Sequence, residues 1–128
     1  MIMSNEQHLE VMRRVFDAFN RRDLDTIMSF FADDPVLEAP RGSEPWGSRF
    51  VGTDEVRRGL AARFEGMPDV AYSEEDHVAC GNRGVSEWTI RGTTVRGDRI
   101  EVRGCDLWTF DADGRIARKD SYWKIRDV

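Results

Sequence analysis

The chain has 128 residues, a formal net charge of −5, and 40% apolar against 34% charged residues, so a single domain over 1–128 is expected, large enough to bury its own core without disulfides or a structural metal. The acidic balance offers no basic surface for nucleic acid or anionic membrane, no apolar run is long enough to span a bilayer, and Met1 to Glu10 carry acids where a secretory signal needs an apolar stretch. Two cysteines, Cys80 and Cys105, fit neither a disulfide framework nor a zinc pattern, so the expectation is a cytoplasmic protein with reduced thiols, no metal and no cofactor.

From Ser4 onward, Leu9, Met12, Phe16 and Phe19, widened by Val11 and Val15, recur at the spacing of one buried helix face. Ser4 and Gln7 form a capping box. A second short helix is predicted over Asp23 to Phe31, ending before Asp33-Asp34-Pro35. Val36 to Ala39 reads as a short strand. The segment Pro40 to Gly52, with two prolines and three glycines around Trp46, reads as turn and loop. Thr53 is placed as the cap of a third helix over Asp54 to Phe64, where Val56, Leu60, Ala61 and Phe64 share a face. After Pro68 the texture changes to four strands, near Val70–Ala79, Val85–Val95, Arg99–Asp111 and Arg115–Ile125, joined by short turns in an antiparallel meander. Helices first and a curved sheet second give an α+β layout, with the helices packed on one sheet face around an internal pocket.

Three stretches carry a family pattern: Phe30-Phe31-Ala32-Asp33-Asp34-Pro35-Val36-Leu37-Glu38-Ala39-Pro40, Gly52 opening a helix, and Phe110-Asp111-Ala112-Asp113-Gly114-Arg115-Ile116 followed by Tyr122-Trp123. In this order and spacing the chain resembles the nuclear transport factor 2-like superfamily, in its SnoaL-like and ketosteroid isomerase-like branch, from about Glu6 to Arg126. The resemblance implies a cone-shaped α+β barrel, a curved and mostly antiparallel sheet wrapped around N-terminal helices, with a deep pocket and a homodimer through the outer sheet face. The fold does not by itself choose a reaction. Steroid isomerisation in that branch uses a carboxylate base with a tyrosine and a protonated aspartic acid as oxyanion donors. By the resemblance, the base position falls at Ala39, the oxyanion tyrosine at Val15 and the supporting tyrosines near Phe31 and Leu60. Only the second acid has a counterpart, Asp106.

Strand alternation puts Asp106 on one face with Gly104, Trp108 and Phe110, an interior face where a carboxylate must be paired, hydrogen-bonded or protonated. It is either an acid or base in a pocket or a structural partner of a buried cation. If Trp123 faces inward, as the resemblance implies, Ser121 and Lys119 share its side, and Lys119 meets Asp106 as a proton shuttle or anion site. A single bulge would bring Asp120 inward instead. Trp88 with Ser86 and Ile90, then Trp108, Trp123, Trp46, Phe16 and Phe19, form an aromatic set suited to a flat apolar ligand. Arg41 follows the short strand at the expected pocket mouth, where it would hold a carboxylate or carbonyl. Glu38 and Glu87 point outward, and His77 is a solvated strand residue. The Arg-x-Asp expected of an epoxide hydrolase is absent from Ser86-Glu87-Trp88-Thr89.

The functional expectation is a SnoaL-like enzyme of isomerase, cyclase or hydratase type. It would move a proton on an apolar carbonyl-bearing molecule, with Asp106 as acid or base. The alternative is a non-catalytic dimer that binds a small apolar or aromatic molecule, favoured by the missing base at Ala39. A protein-interaction module using the outer sheet face is the third reading.

Overall fold

A computed structural model of the protein describes residues 3–127. Helix α1 (Asn5–Asn20) starts at the capping box: the Ser4 hydroxyl accepts the Gln7 N–H, and the Gln7 side chain accepts the Ser4 N–H. Its inner face buries Met12, Val15, Phe16, Ala18 and Phe19, and also His8, which stacks on Phe110 at 4.2 Å. Helix α2 (Leu24–Ser29) is shorter than its apolar run suggested. Asp23 caps it by accepting the Thr26 N–H, and Phe31 already belongs to the sheet. Helix α3 (Thr53–Gly66) is not capped by Thr53. Gly52, at φ 90°, turns the chain and its carbonyl accepts the Val56 N–H, a conformation for which glycine is suited.

The sheet has six strands: β1 (Phe31–Glu44), β2 (Gly47–Val51), β3 (Ala71–Cys80), β4 (Arg83–Thr93), β5 (Arg99–Phe110) and β6 (Ile116–Trp123), in the order β2-β1-β6-β5-β4-β3. All neighbours are antiparallel except β1 and β6. The C-terminal meander therefore forms as its turns predict. The segment expected as loop is instead a hairpin, β1 to β2, with a register shift between Ala39 and Glu44. Proline and glycine mark that irregularity and the tight turn at Pro45-Trp46, not the absence of strands. Helix α1 packs on β3 and α3 on β1, covering the inner sheet face.

Three lateral rows on that inner face build the interior. One runs Gly84, Trp108, Lys119 and Leu37; the next His77, Ser86, Asp106 and Ser121; the third Trp88, Gly104 and Trp123. Each row is a set of directly opposed strand residues, so its members touch by construction. A Cβ on Gly104 would lie 2.5 Å from the Trp88 ring and from the Tyr122 carbonyl oxygen. Glycine there is what lets the Trp88 indole lie across β5.

On the outer face, Glu38 is fully buried between Arg49 of β2 and Arg118 of β6, both of which bond its carboxylate. Burial opposes its ionisation, but the two guanidinium groups outweigh this and hold the carboxyl below the ordinary glutamate range.

Gly104→Ala should destabilise the fold by about 1–3 kcal/mol in chemical denaturation, since the new methyl displaces the Trp88 ring. Because the folded pKa of Glu38 is depressed, its contribution to stability is present above the unfolded value near 4.5 and is lost as pH falls through the lower folded value. Melting temperatures of Glu38→Gln and the parent should therefore converge as pH is lowered below 4.5.

Candidate functional site

The chemistry collects where β5 and β6 meet beneath α1 and α3. The register from Gly104–Trp123 to Thr109–Arg118 is unbroken, so Lys119 and Ser121 face inward and Asp120 outward. Asp120 lies beside Arg118 and Tyr122, and burial together with the Glu38 charge raises its carboxyl above the usual range. It takes no part in the interior.

Asp106 is wholly buried and accepts three hydrogen bonds. Lys119 Nζ (3.1 Å) and Ser121 Oγ (2.5 Å) donate to Oδ1, and Trp88 Nε1 (2.9 Å) donates to Oδ2. Lys119, with 7% of its side chain exposed, also donates to Ser121 Oγ at 2.8 Å. An ammonium has three N–H groups. Lys119 uses two of them on these partners, leaving one without a partner among the described residues. The faces of Phe19 and Trp108 flank the ammonium at 5.4 and 5.8 Å.

A second polar pair shares the Asp106 row. Trp108 Nε1 donates to Ser86 Oγ at 2.9 Å, and Ser86 lies 2.7 Å from His77 Nδ1. The Ser86 hydroxyl has a second lone pair beside the one that takes the Trp108 N–H, so the direction of its hydrogen bond with His77 Nδ1 is set by the imidazole tautomer. Burial pushes the His77 pKa down, with the Arg13 charge adding to it. The solvated histidine read from the sequence is therefore an inner residue. A bulge between Ser73 and Asp76, with Glu74 at φ 55°, shifts the face of β3 by one residue.

Beside Lys119 lies a small cavity of about 40 Å3, lined by Phe19, Leu37, Ala39, Pro40, Gly59, Leu60, Arg63, Tyr72, Lys119, Ser121 and Trp123. Six of these were expected: Phe19, Ala39, Leu60, Lys119, Ser121 and Trp123. Asp106 is not in the lining. Lys119 and Ser121 stand between it and the cavity. Val15, Ser86, Trp88, Ile90 and Trp108 are buried in the core and are not part of this lining. Trp46 occupies the β1–β2 turn, 42% exposed under the Arg49 guanidinium, and Arg41 is exposed on β1. Neither reaches the cavity, because the hairpin carries both past its mouth.

The deep pocket expected from the resemblance is thus a narrow one. Sites for drug-sized ligands run to roughly 300–1,000 Å3, so this cavity has to widen to take a ring-sized molecule; Arg63, stacked over Trp123 at 4.5 Å, is part of its lining.

A family model for the SnoaL-like domain matches residues 12–119. The chain belongs to the SnoaL-like domain family. The steroid Δ-isomerase of Nocardioides simplex is 30% identical over 118 residues, covering 90% of this chain and 88% of that protein. A candidate polyketide cyclase from Xanthomonas campestris pv. campestris superimposes with TM-score 0.82 at 19% identity, over 94% of this chain and 92% of that one. A nuclear transport factor 2-like protein of unknown function from Burkholderia pseudomallei superimposes at 0.81 and 25% identity, over 95% and 92%. This SnoaL-like domain has the α+β fold with a curved mixed sheet that its sequence implied.

Within the SnoaL-like site, five lining residues were not anticipated, Leu37, Pro40, Gly59, Arg63 and Tyr72, of which Arg63 and Tyr72 bring polar side chains. Tyr72 was readable, since it alternates with Val70 in the strand predicted over Val70–Ala79. Its hydroxyl makes no hydrogen bond with any described residue, and burial together with the Asp106 charge raises its pKa well above the ordinary phenol value, so it keeps its proton as a donor. Arg63 carried no signal, because one arginine on an amphipathic helix reads the same at a cavity rim as in solvent. Among the described residues no group of three His, Cys, Asp or Glu side chains is placed to hold a metal, and no helix is long and apolar enough to cross a membrane.

Removing one partner of a buried ion pair leaves the other charged and unsolvated. Asp106→Asn and Lys119→Met should each cost about 3–5 kcal/mol in denaturant unfolding, and the double variant clearly less than their sum.

Proposed function

We propose that this SnoaL-like domain is an isomerase- or cyclase-type catalyst that shifts a proton next to a carbonyl group by stabilising an enolate. The observation that carries the reading is the buried Lys119 ammonium at the cavity wall, held by Asp106 and Ser121 with one N–H still to give. A substrate carbonyl oxygen placed against that N–H and the Tyr72 hydroxyl gains negative charge beside two donors that line the same cavity. Pre-aimed donors of this kind are the largest single contribution in many enzymes.

The α-proton leaves through Ser121. Its Oγ takes the proton from carbon while its own proton passes to Asp106 Oδ1, and the C–H electron pair moves into the enolate. The reverse relay delivers the proton to a different carbon, or the enolate carbon adds to a second carbonyl carbon of the same molecule, whose displaced C=O π pair takes the proton back from Ser121 as the ring closes. Asp106 in this scheme is a positioning and relay residue behind Ser121. It replaces the direct base whose position is filled by Ala39, a cavity-lining methyl group.

A homodimer in the cytoplasm completes the reading. Support for the dimer is an outward row of Val78, Val85 and Leu107 on neighbouring strands, with Val78 59% and Val85 36% exposed.

The second reading, a carrier that binds without turnover, is favoured by one fact: no carboxylate lines the cavity among the described residues. The two separate in deuterium wash-in. In heavy water, a cyclic 1,3-diketone or β,γ-unsaturated ketone that binds should exchange its α-hydrogen faster with the protein than without it, as followed by proton NMR. Ser121→Ala and Asp106→Asn should slow this by about 10²–10⁴, and Tyr72→Phe by roughly 10²–10³. Saturable binding with no acceleration of exchange would establish the carrier instead.

A further inference from the structure

We infer that the ligand of this cavity carries a carboxylate on an apolar or aromatic ring, and that Arg63 at the rim is the residue that selects it. The inference rests on the cavity being the ligand site proposed above, but not on what reaction follows.

Arg63 is singled out by comparison with the other cations. The four least exposed Lys or Arg residues are Arg57, Arg63, Arg91 and Lys119. Arg57 pairs with Asp25, Arg91 with Glu74 and Glu101, and Lys119 with Asp106. Arg63 makes no ion pair or hydrogen bond with any described residue. It is half-buried, lines the cavity and rests over the Trp123 ring. A partly desolvated guanidinium left without an acceptor is an unfilled demand, because the fork of N–H donors matches two carboxylate oxygens.

Charge bookkeeping at the cavity points the same way. Asp106 cancels Lys119, so the walls carry one uncancelled positive charge, that of Arg63. The remaining donors, the free Lys119 N–H and the Tyr72 hydroxyl, also seek oxygen acceptors. Phe19, Leu37 and Leu60 supply the apolar wall for a ring. A neutral ketone would satisfy the inner donors and leave Arg63 unanswered, whereas a ring acid would satisfy both. The stacking on Trp123 fixes the guanidinium while its edge remains open, so selection requires no rearrangement of the helix. The anion-holding task that the sequence suggested for Arg41 thus passes to a residue of α3.

The test compares acids with their own esters. Benzoate and 2-naphthoate, with methyl benzoate and methyl 2-naphthoate, are titrated against the protein by tryptophan fluorescence at low and high salt. The acids should bind at least about tenfold tighter than the esters, consistent with a charged hydrogen bond, and the difference should narrow as salt rises. In Arg63→Met the ratio of acid to ester affinity should fall to unity, while ester binding that remains saturable reports that the cavity is intact. Arg63→Lys should keep part of the preference.

Equal binding of acid and ester by the parent, or an acid preference that survives in Arg63→Met, overturns the inference. It leaves the enolate reading of Lys119 standing on its own exchange measurement. Failure of acids and esters alike to bind overturns both.

Discussion

An ammonium ion in the apolar interior is tolerable only where its hydrogen bonds and its charge are both answered. The pairing of Lys119 with Asp106 does this, and much of the surrounding packing serves it. Trp88 lies across β5 so that its N–H reaches the free oxygen of Asp106, and Gly104 is small so that Trp88 can lie there. Ser121 joins the cation and the anion through a single hydroxyl. The polar stripe continues through Ser86 and His77, which satisfy Trp108 in turn. Two tryptophans that would otherwise be plain core thus become the fastening of a polar seam through an apolar face.

The same seam explains how a familiar architecture is adapted when its usual chemistry is missing. Where the ketosteroid isomerase-like branch would place a carboxylate on β1, Ala39 leaves a methyl group at the cavity wall. The ionisable groups lie instead on the neighbouring strands, Lys119 on β6 directly beside Leu37 of β1 and Asp106 on β5 behind it. A fold of this kind tolerates the exchange because the site sits on paired strands. A residue on any inner row can be replaced without altering the register that aims its neighbours.

Much of this was legible from the amino-acid order. The capping box at Ser4, the helical stripe of α1 and the four-strand meander follow from spacing alone. Asp106 and Lys119 face one another because period-two alternation and an unbroken register leave them no alternative. What was hidden was hidden by irregularity. Pro40, Gly42, Pro45 and Gly47 look like loop chemistry but sit in a bulged hairpin, and the bulge at Glu74 turns His77 inward against simple alternation. Cavity size was also out of reach, since it depends on how rings settle against one another. Arg63 shows the limit most plainly: its position matters through the absence of a partner, and sequence spacing does not record absences.

The parallel pairing of β1 with β6 has a consequence for how the protein comes to be. Leu37 and Ala39 form one wall of the cavity, and Lys119 and Ser121 another, and these segments lie toward opposite ends of the chain. Their contact closes a long loop, a slow and entropically demanding event in folding. The helices and the meander can organise through local contacts, but the site is complete only when the last strand slots in beside the first. On a ribosome, the cavity would be among the last features to appear. A nascent chain would expose an unpaired edge of β1 until β6 emerged to cover it.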